Sequence, residues 1–243
     1  MILNWEALKA IIKQYVLYDH QCRRSILGFV AVLGPAMLVL TLLFIFGKLP
    51  ALFLFTISTA VSFAASFAMP IVLAVVIQRE KAEGSFRALR ALPLKAGTLF
   101  GGTVLAGVIA SILALLPLYM IATIGLILRG GDVALLQIYI GVVALLMSFL
   151  STSFTLTLAL CVNSPTALSY LIAGFLALGM LPGILMPLFK QKIRSLLESR
   201  LEKLFYFVLS LEGQIFVSAI VIILSALILY TGSRIFSRKK AYV

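Results

Sequence analysis

Long apolar runs alternate with short polar breaks along this chain. The runs lie at about 25–46, 51–77, 97–128, 133–162, 167–189 and 214–230. Each has the length, roughly 17–25 residues or more, that carries an α-helix across a ~30 Å hydrocarbon core. No water is present there to satisfy backbone N–H and C=O groups, so each run is expected to be helical. The pattern predicts an all-α membrane protein with six transmembrane helices, residues 1–243 forming a single transmembrane domain. Gly47-Lys48-Leu49-Pro50 and Arg129-Gly130-Gly131-Asp132 read as short turns at one membrane face. Asn163-Ser164-Pro165 reads as a turn at the other. Pro70 and Pro117 mark expected bends within the second and third spans.

Three stretches depart from the spanning pattern. Residues 4–19 are amphipathic, with Trp5, Leu8, Ile12 and Tyr15 on one helical face and Glu6, Lys9, Lys13 and Gln14 away from it. This is the pattern of a helix lying in the membrane interface, or packed on the protein, or both. Residues 190–203 repeat it, with Ile193, Leu196, Leu197, Leu201 and Leu204 on one face. The apolar stretch that follows, 205–211, is too short to cross, and Glu212-Gly213 is expected to break it. With Gly174, Gly179, Pro182, Gly183 and Pro187 just upstream, the expectation for 190–213 is a broken, external amphipathic or re-entrant element between spans five and six. The third stretch, 78–96, is the densest polar segment between two spans. Arg79, Lys81, Arg87, Arg90 and Lys95 sit there with Glu80 and Glu83. Phe86, Leu89 and Leu92 or Pro93 fall at helical spacing, Gly84-Ser85 supplies a break, and Pro93 a stop.

Composition adds direction. The chain is 63% hydrophobic, which excludes a soluble globular domain. Its net charge of +12 would raise nucleic acid as a partner for a soluble protein. Here the bases follow topology instead, and anionic lipid headgroups meet them. With both termini cytoplasmic, 13 of the 20 bases fall inside: four before the first span, five in 78–96 and four in the tail. Five of the seven outside lie in 190–203, against the rule; moving them inside would need a further crossing that no apolar run supplies. The first 25 residues lack an apolar core of the signal-peptide kind, so no cleavable signal is expected. Cys22 and Cys161 lack metal-ligand spacing and fall on the reducing side.

Two stripes of hydroxyls line the spans. Ser58, Ser62 and Ser66 recur every four residues, and Ser148, Thr152 and Thr155 share a face of the fourth span. Small residues at this spacing let helices approach closely, and that reading is favoured over a substrate-lining stripe. The middle thirds of the spans hold no Asp, Glu, Lys, Arg or His. Ion-coupled carriers usually need such groups, although hydroxyl and carbonyl oxygens alone can hold Na⁺. No HExxH motif, Gly-x-Ser-x-Gly motif or intramembrane carboxylate pair is present, so an intramembrane enzyme is the least supported class. A phosphate-binding loop is also missing.

The run Glu80-Lys81-Ala82-Glu83-Gly84-Ser85, followed by a short helix and Leu92-Pro93, resembles the cytoplasmic loop between the second and third spans of ABC type-2 transporter permeases. The resemblance covers the whole chain in layout and these residues in motif. It implies a transmembrane permease subunit of an ATP-driven transporter, not itself an enzyme and with no cofactor in this chain. A separate ABC ATPase subunit in two copies would hold ATP and Mg²⁺ and dock on 78–94. A second permease copy or homologue would complete the pathway, lined by spans one, two and five. Glu80, Glu83, Gly84, Ser85, Phe86, Arg87, Leu89 and Pro93 are the implied docking and coupling residues; Arg90 serves docking or headgroup contact equally. The 78–96 segment becomes a coupling helix and 4–19 an interfacial connecting helix. The expected cargo is amphipathic or lipid-like, moved outward across a bacterial or archaeal cell membrane. The alternative is a self-sufficient carrier or channel built on the two hydroxyl stripes.

Overall fold

The computed structural model describes residues 5–84, 96–129, 133–162, 164, 166–168 and 211–241. Among these the regular elements are all helical: α1 (Trp5–Lys13), a π-helical turn (Gln14–Tyr18), α2 (His20–Ile45), α3 (Ala51–Glu83), α4 (Ala96–Arg129), α5 (Val133–Cys161) and α6 (Leu211–Ala241). Five of them, α2 to α6, are long and apolar enough to cross a membrane, so the chain is an all-α membrane protein. The expected fifth span at 167–189 lies outside the described residues apart from its first two, as do most of the 190–213 element and the 85–95 loop.

Helix α3 is central. Half of its apolar window is buried within the chain, against 17% for α2 and for α6. It packs on α5, α4 and α2, while α6 leans on α5 and α4. Two main apolar clusters form the core among the described residues. Met37, Phe44, Leu54, Leu118 and Leu126 fill the end where α2 turns into α3. Leu73, Ile77, Leu99, Phe100, Val104, Leu156 and Phe236 fill the opposite end, together with Ile11, Tyr15 and Val16.

Local chemistry sets the helix ends. Asp19 caps α2 by accepting from the Cys22 N–H at 2.8 Å. The α2–α3 turn is as tight as its sequence implies. Gly47 adopts φ +76, open to glycine at little cost. Arg129, from the end of α4, donates through Nη1 to the Phe44 and Ile45 carbonyls at 3.1 and 2.6 Å. A cation thus sits on the last turn of α2, where unpaired carbonyls and the helix dipole favour it.

Pro70 lies within α3, which runs unbroken through it. Proline has no N–H, so the Ser66 carbonyl loses its helical donor. Ser151 of α5 supplies the replacement, its Oγ donating to Ser66 O at 2.5 Å. Neighbouring hydroxyls are a known means of tolerating proline in a membrane helix.

Three expectations are corrected. First, α1 and the turn after it bury Leu8 and Tyr15 of the expected face and pack Ile12 partly on the same core, but they add Ile11 and Val16 and leave Trp5 exposed. The face is rotated because Ile11 packs over Gly102 of α4, where any Cβ would crowd it. Second, α3 continues through Glu83, so the polar stretch starting at Gln78 begins as helix rather than loop. Gln, Arg, Glu, Lys and Ala are all good helix formers. Third, α6 starts at Leu211 rather than near Gln214 and takes in Glu212 and Gly213. Glu212 falls in the first turn, where an acid is favourable.

Candidate functional site

The C-terminal end of α3 carries the densest set of inter-element contacts from charged and amide side chains among the described residues. Four consecutive residues, Gln78 to Lys81, each tie this end to another element. Helical geometry makes that arrangement available, because four successive side chains point around the whole helix.

Gln78 and Lys81, one turn apart, face α5. Gln78 Nε2 donates to the Ala159 and Val162 carbonyls at 2.5 and 2.9 Å. Lys81 Nζ reaches the same two carbonyls at 2.9 and 2.6 Å. Helix α5 stops at Cys161, so its last carbonyls have no intrahelical donors. An ammonium group there also meets the negative end of the dipole.

Arg79 and Glu80 face the N-terminal elements. Arg79 Nη2 pairs with Asp19 Oδ2 at 2.7 Å, and Nη1 donates to Gln21 Oε1 at 3.3 Å. The Asp19 carboxylate therefore serves the α2 cap with one oxygen and Arg79 with the other. Tyr15 Oη donates to Glu80 Oε2 at 2.8 Å. Tyr15 is almost fully buried, and burial, reinforced by the Glu80 charge, pushes its phenol well above the ordinary range. Glu83 stays exposed, with Arg79 Nε 3.8 Å away. Gly84 ends the helix at φ +82, a left-handed stop that suits glycine.

Of the residues implicated by the sequence, Glu80, Glu83 and Gly84 therefore sit at the end of α3. Glu80 is engaged within the chain and Glu83 points outward. Ser85, Phe86, Arg87, Leu89 and Pro93 lie outside the described residues. Tyr15 and Asp19 are contributors that sequence reasoning did not assign to the site; Gln78 and Lys81 fell within the implicated 78–94 stretch, with no partner inside the chain expected for them. Lys81 lies in the motif and Gln78 just before it, but their acceptors are backbone atoms about 80 residues away, which no side-chain pattern encodes.

The two hydroxyl stripes face each other across α3 and α5. Ser58 Oγ donates to Gln137 Oε1 at 2.9 Å, and Ser66 Oγ to the Ala144 carbonyl at 2.8 Å. Ser62, Ser148, Thr152 and Thr155 are buried in the same packing, and Thr152 closes over Gly107 of α4. Ser62 and Thr152 spend their protons on carbonyls of their own helix; Thr155 does so too, and also lies 3.4 Å from the Pro70 carbonyl of α3. Among the described residues no three His, Cys, Asp or Glu side chains group as a metal site. Compared with known proteins, the chain matches no family model and no curated protein.

Proposed function

We propose that this chain is the membrane permease subunit of an ATP-driven transporter of the ABC type-2 kind, exporting an amphipathic or lipid-like substrate. The observation that carries the reading is the junction at Gln78–Lys81. A partner gripping the loop that follows would hold a lever whose root is bonded to α2, to α5 and to the turn after α1. Movement of that root would be felt by three elements beyond α3 itself. In this reading Glu83 and Arg87 contact the ATPase, while Glu80 couples through Tyr15 inside the chain. Two ATPase chains would supply ATP and Mg²⁺, and a second permease copy would complete the pathway. In this reading both termini are cytoplasmic, which the excess of bases at the α1 end supports.

The test is a pull-down of the tagged protein in mild detergent with mass spectrometry of co-purifying chains. A stoichiometric soluble ATPase with phosphate-loop motifs is expected. A well-folded chain that arrives alone and passes solute alone would replace this reading with a self-sufficient carrier. In the assembled complex, charge reversal at Glu83 together with Arg87 is expected to uncouple ATP hydrolysis from transport.

A further inference from the structure

Helix α2 is held in each half and loosely packed in between. Cys22 and Ile26 of its first half are buried in the cluster that also takes in Tyr15 and Val16. Met37, Thr41 and Phe44 of its second half are buried too, Met37 and Phe44 in the other cluster, with Leu54 and Leu118. None of the described residues from Leu27 to Ala36 is buried. The polar ties divide in the same way. Before and within the first turn, Asp19 and Gln21 accept from Arg79 of α3 at 2.7 and 3.3 Å. At the far end the Phe44 and Ile45 carbonyls take the Arg129 guanidinium, and the Thr41 methyl sits on Gly125 of α4, where any Cβ would collide with it.

The loosely packed middle is also where the backbone is weakest. Pro35 lies inside α2, and without its N–H the Ala31 carbonyl loses its helical donor. At Pro70 of α3 the Ser151 hydroxyl, packed from α5, fills the corresponding gap. Ala31 and Pro35 lie on the exposed side of α2 instead. Gly34 precedes the proline, so two neighbouring positions loosen the helix at one level. Proline is the commonest cause of a sharp bend, and glycine adds backbone freedom.

We infer that α2 is a hinged arm: residues 20–33 swing about Gly34-Pro35 against a fixed second half, and the bonds from Arg79 to Asp19 and Gln21 are the latch that holds the arm closed. A ~20° bend would move Cys22, ~18 Å along the helix from the hinge, by ~6 Å, enough to open its surroundings to solvent. The device stands whether or not the chain is a transporter subunit, because it needs no partner chain.

Cys22, 1% exposed, rides on the arm and reports its opening. The measurement is the rate at which a maleimide labels Cys22 in the full chain carrying Cys161→Ser, in mild detergent. Arg79→Ala should raise that rate about three- to tenfold, the worth of one net hydrogen bond. Asp19→Asn keeps a capping oxygen for α2 but weakens the hold on Arg79, and should raise it as well. Gly34→Ala combined with Pro35→Ala restores an N–H and stiffens the helix; the added Cβ at position 34 would meet Leu118 Cδ2 at 3.8 Å, an ordinary contact. Placed in the Arg79→Ala chain, this pair should return the rate to near its native value. Thr41→Cys, a buried reporter on the second half in a chain with Cys22→Ser and Cys161→Ser, should stay slow with or without Arg79. Acceleration that persists in the stiffened helix means fraying of the first turn or motion of α2 as one rod, and overturns the hinge. Parallel acceleration at Thr41→Cys means general loosening and overturns it too. No acceleration in either Arg79→Ala or Asp19→Asn overturns the latch.

Discussion

The hydrogen bond from Ser151 to the Ser66 carbonyl gives the sharpest energetic test of this packing. Ser151→Ala removes the hydroxyl that replaces the missing Pro70 N–H. Ser66 O then faces a dry interior with no helical donor, since Ser66 and Ser151 are both nearly fully buried. An unsatisfied buried carbonyl costs about 1–3 kcal/mol. Measured interhelical hydrogen bonds in membranes lie lower, averaging ~0.6 with a maximum of ~1.7 kcal/mol. That average is low because the unfolded chain in the membrane also finds partners for such groups. Here the donor is chemically absent, so the expected loss is about 1–2 kcal/mol. Pro70→Ala restores an N–H at position 70, and Ser66 O regains a partner within α3. In that background Ser151→Ala should cost less than ~0.5 kcal/mol, leaving only its longer contact with the Ser148 carbonyl and some packing. The assay is reversible unfolding of the four proteins in mixed micelles titrated with dodecyl sulfate, read as a double-mutant cycle. An equal cost of Ser151→Ala with and without Pro70 would refute the argument.

Three further predictions follow from the helix ends. Tyr15→Phe leaves Glu80 Oε2 without its phenol donor, and should lower stability by about 1–2 kcal/mol in the same assay. Because the native phenol holds its proton above its ordinary pKa of 10.0, its contribution is complete below that pH and declines as pH rises past it; stability curves of the native chain and Tyr15→Phe should converge in that alkaline range. Gly47→Ala should cost about 1–2 kcal/mol for the left-handed backbone. A further loss should come from displacing the Arg129 guanidinium, 2.7 Å from the added Cβ, and thermal unfolding should show both against Arg129→Ala. Cys161 is exposed and Cys22 buried, so a membrane-impermeant maleimide should label Cys161 alone, and in the proposed topology only from the cytoplasmic side. Labelling in intact cells would reverse the topology.

The sequence and the tertiary structure decided different things here. The positions of the five described spans were legible because burial in hydrocarbon demands long apolar runs with closed backbone bonding, a one-dimensional requirement. The Gly47 turn and the Gly84 stop were legible for a similar local reason, since glycine marks a left-handed break. The hydroxyl stripes were visible, but their partners were not. Ser58 meets Gln137, and Ser66 meets Ala144, only because α3 and α5 pack in one register. The rotation of α1 onto Ile11 depends on a bare glycine in α4, and no periodicity within 4–19 encodes it. The C-terminal end of α3 shows the division most plainly. Its residues were noticed as charges at a membrane face, where sequence predicts solvent or a partner. Folding instead brought the free carbonyls of α5, the cap of α2 and a buried phenol within reach of Gln78, Arg79, Glu80 and Lys81. A side chain goes to the strongest partner it can reach, and only the tertiary structure says which partners are within reach.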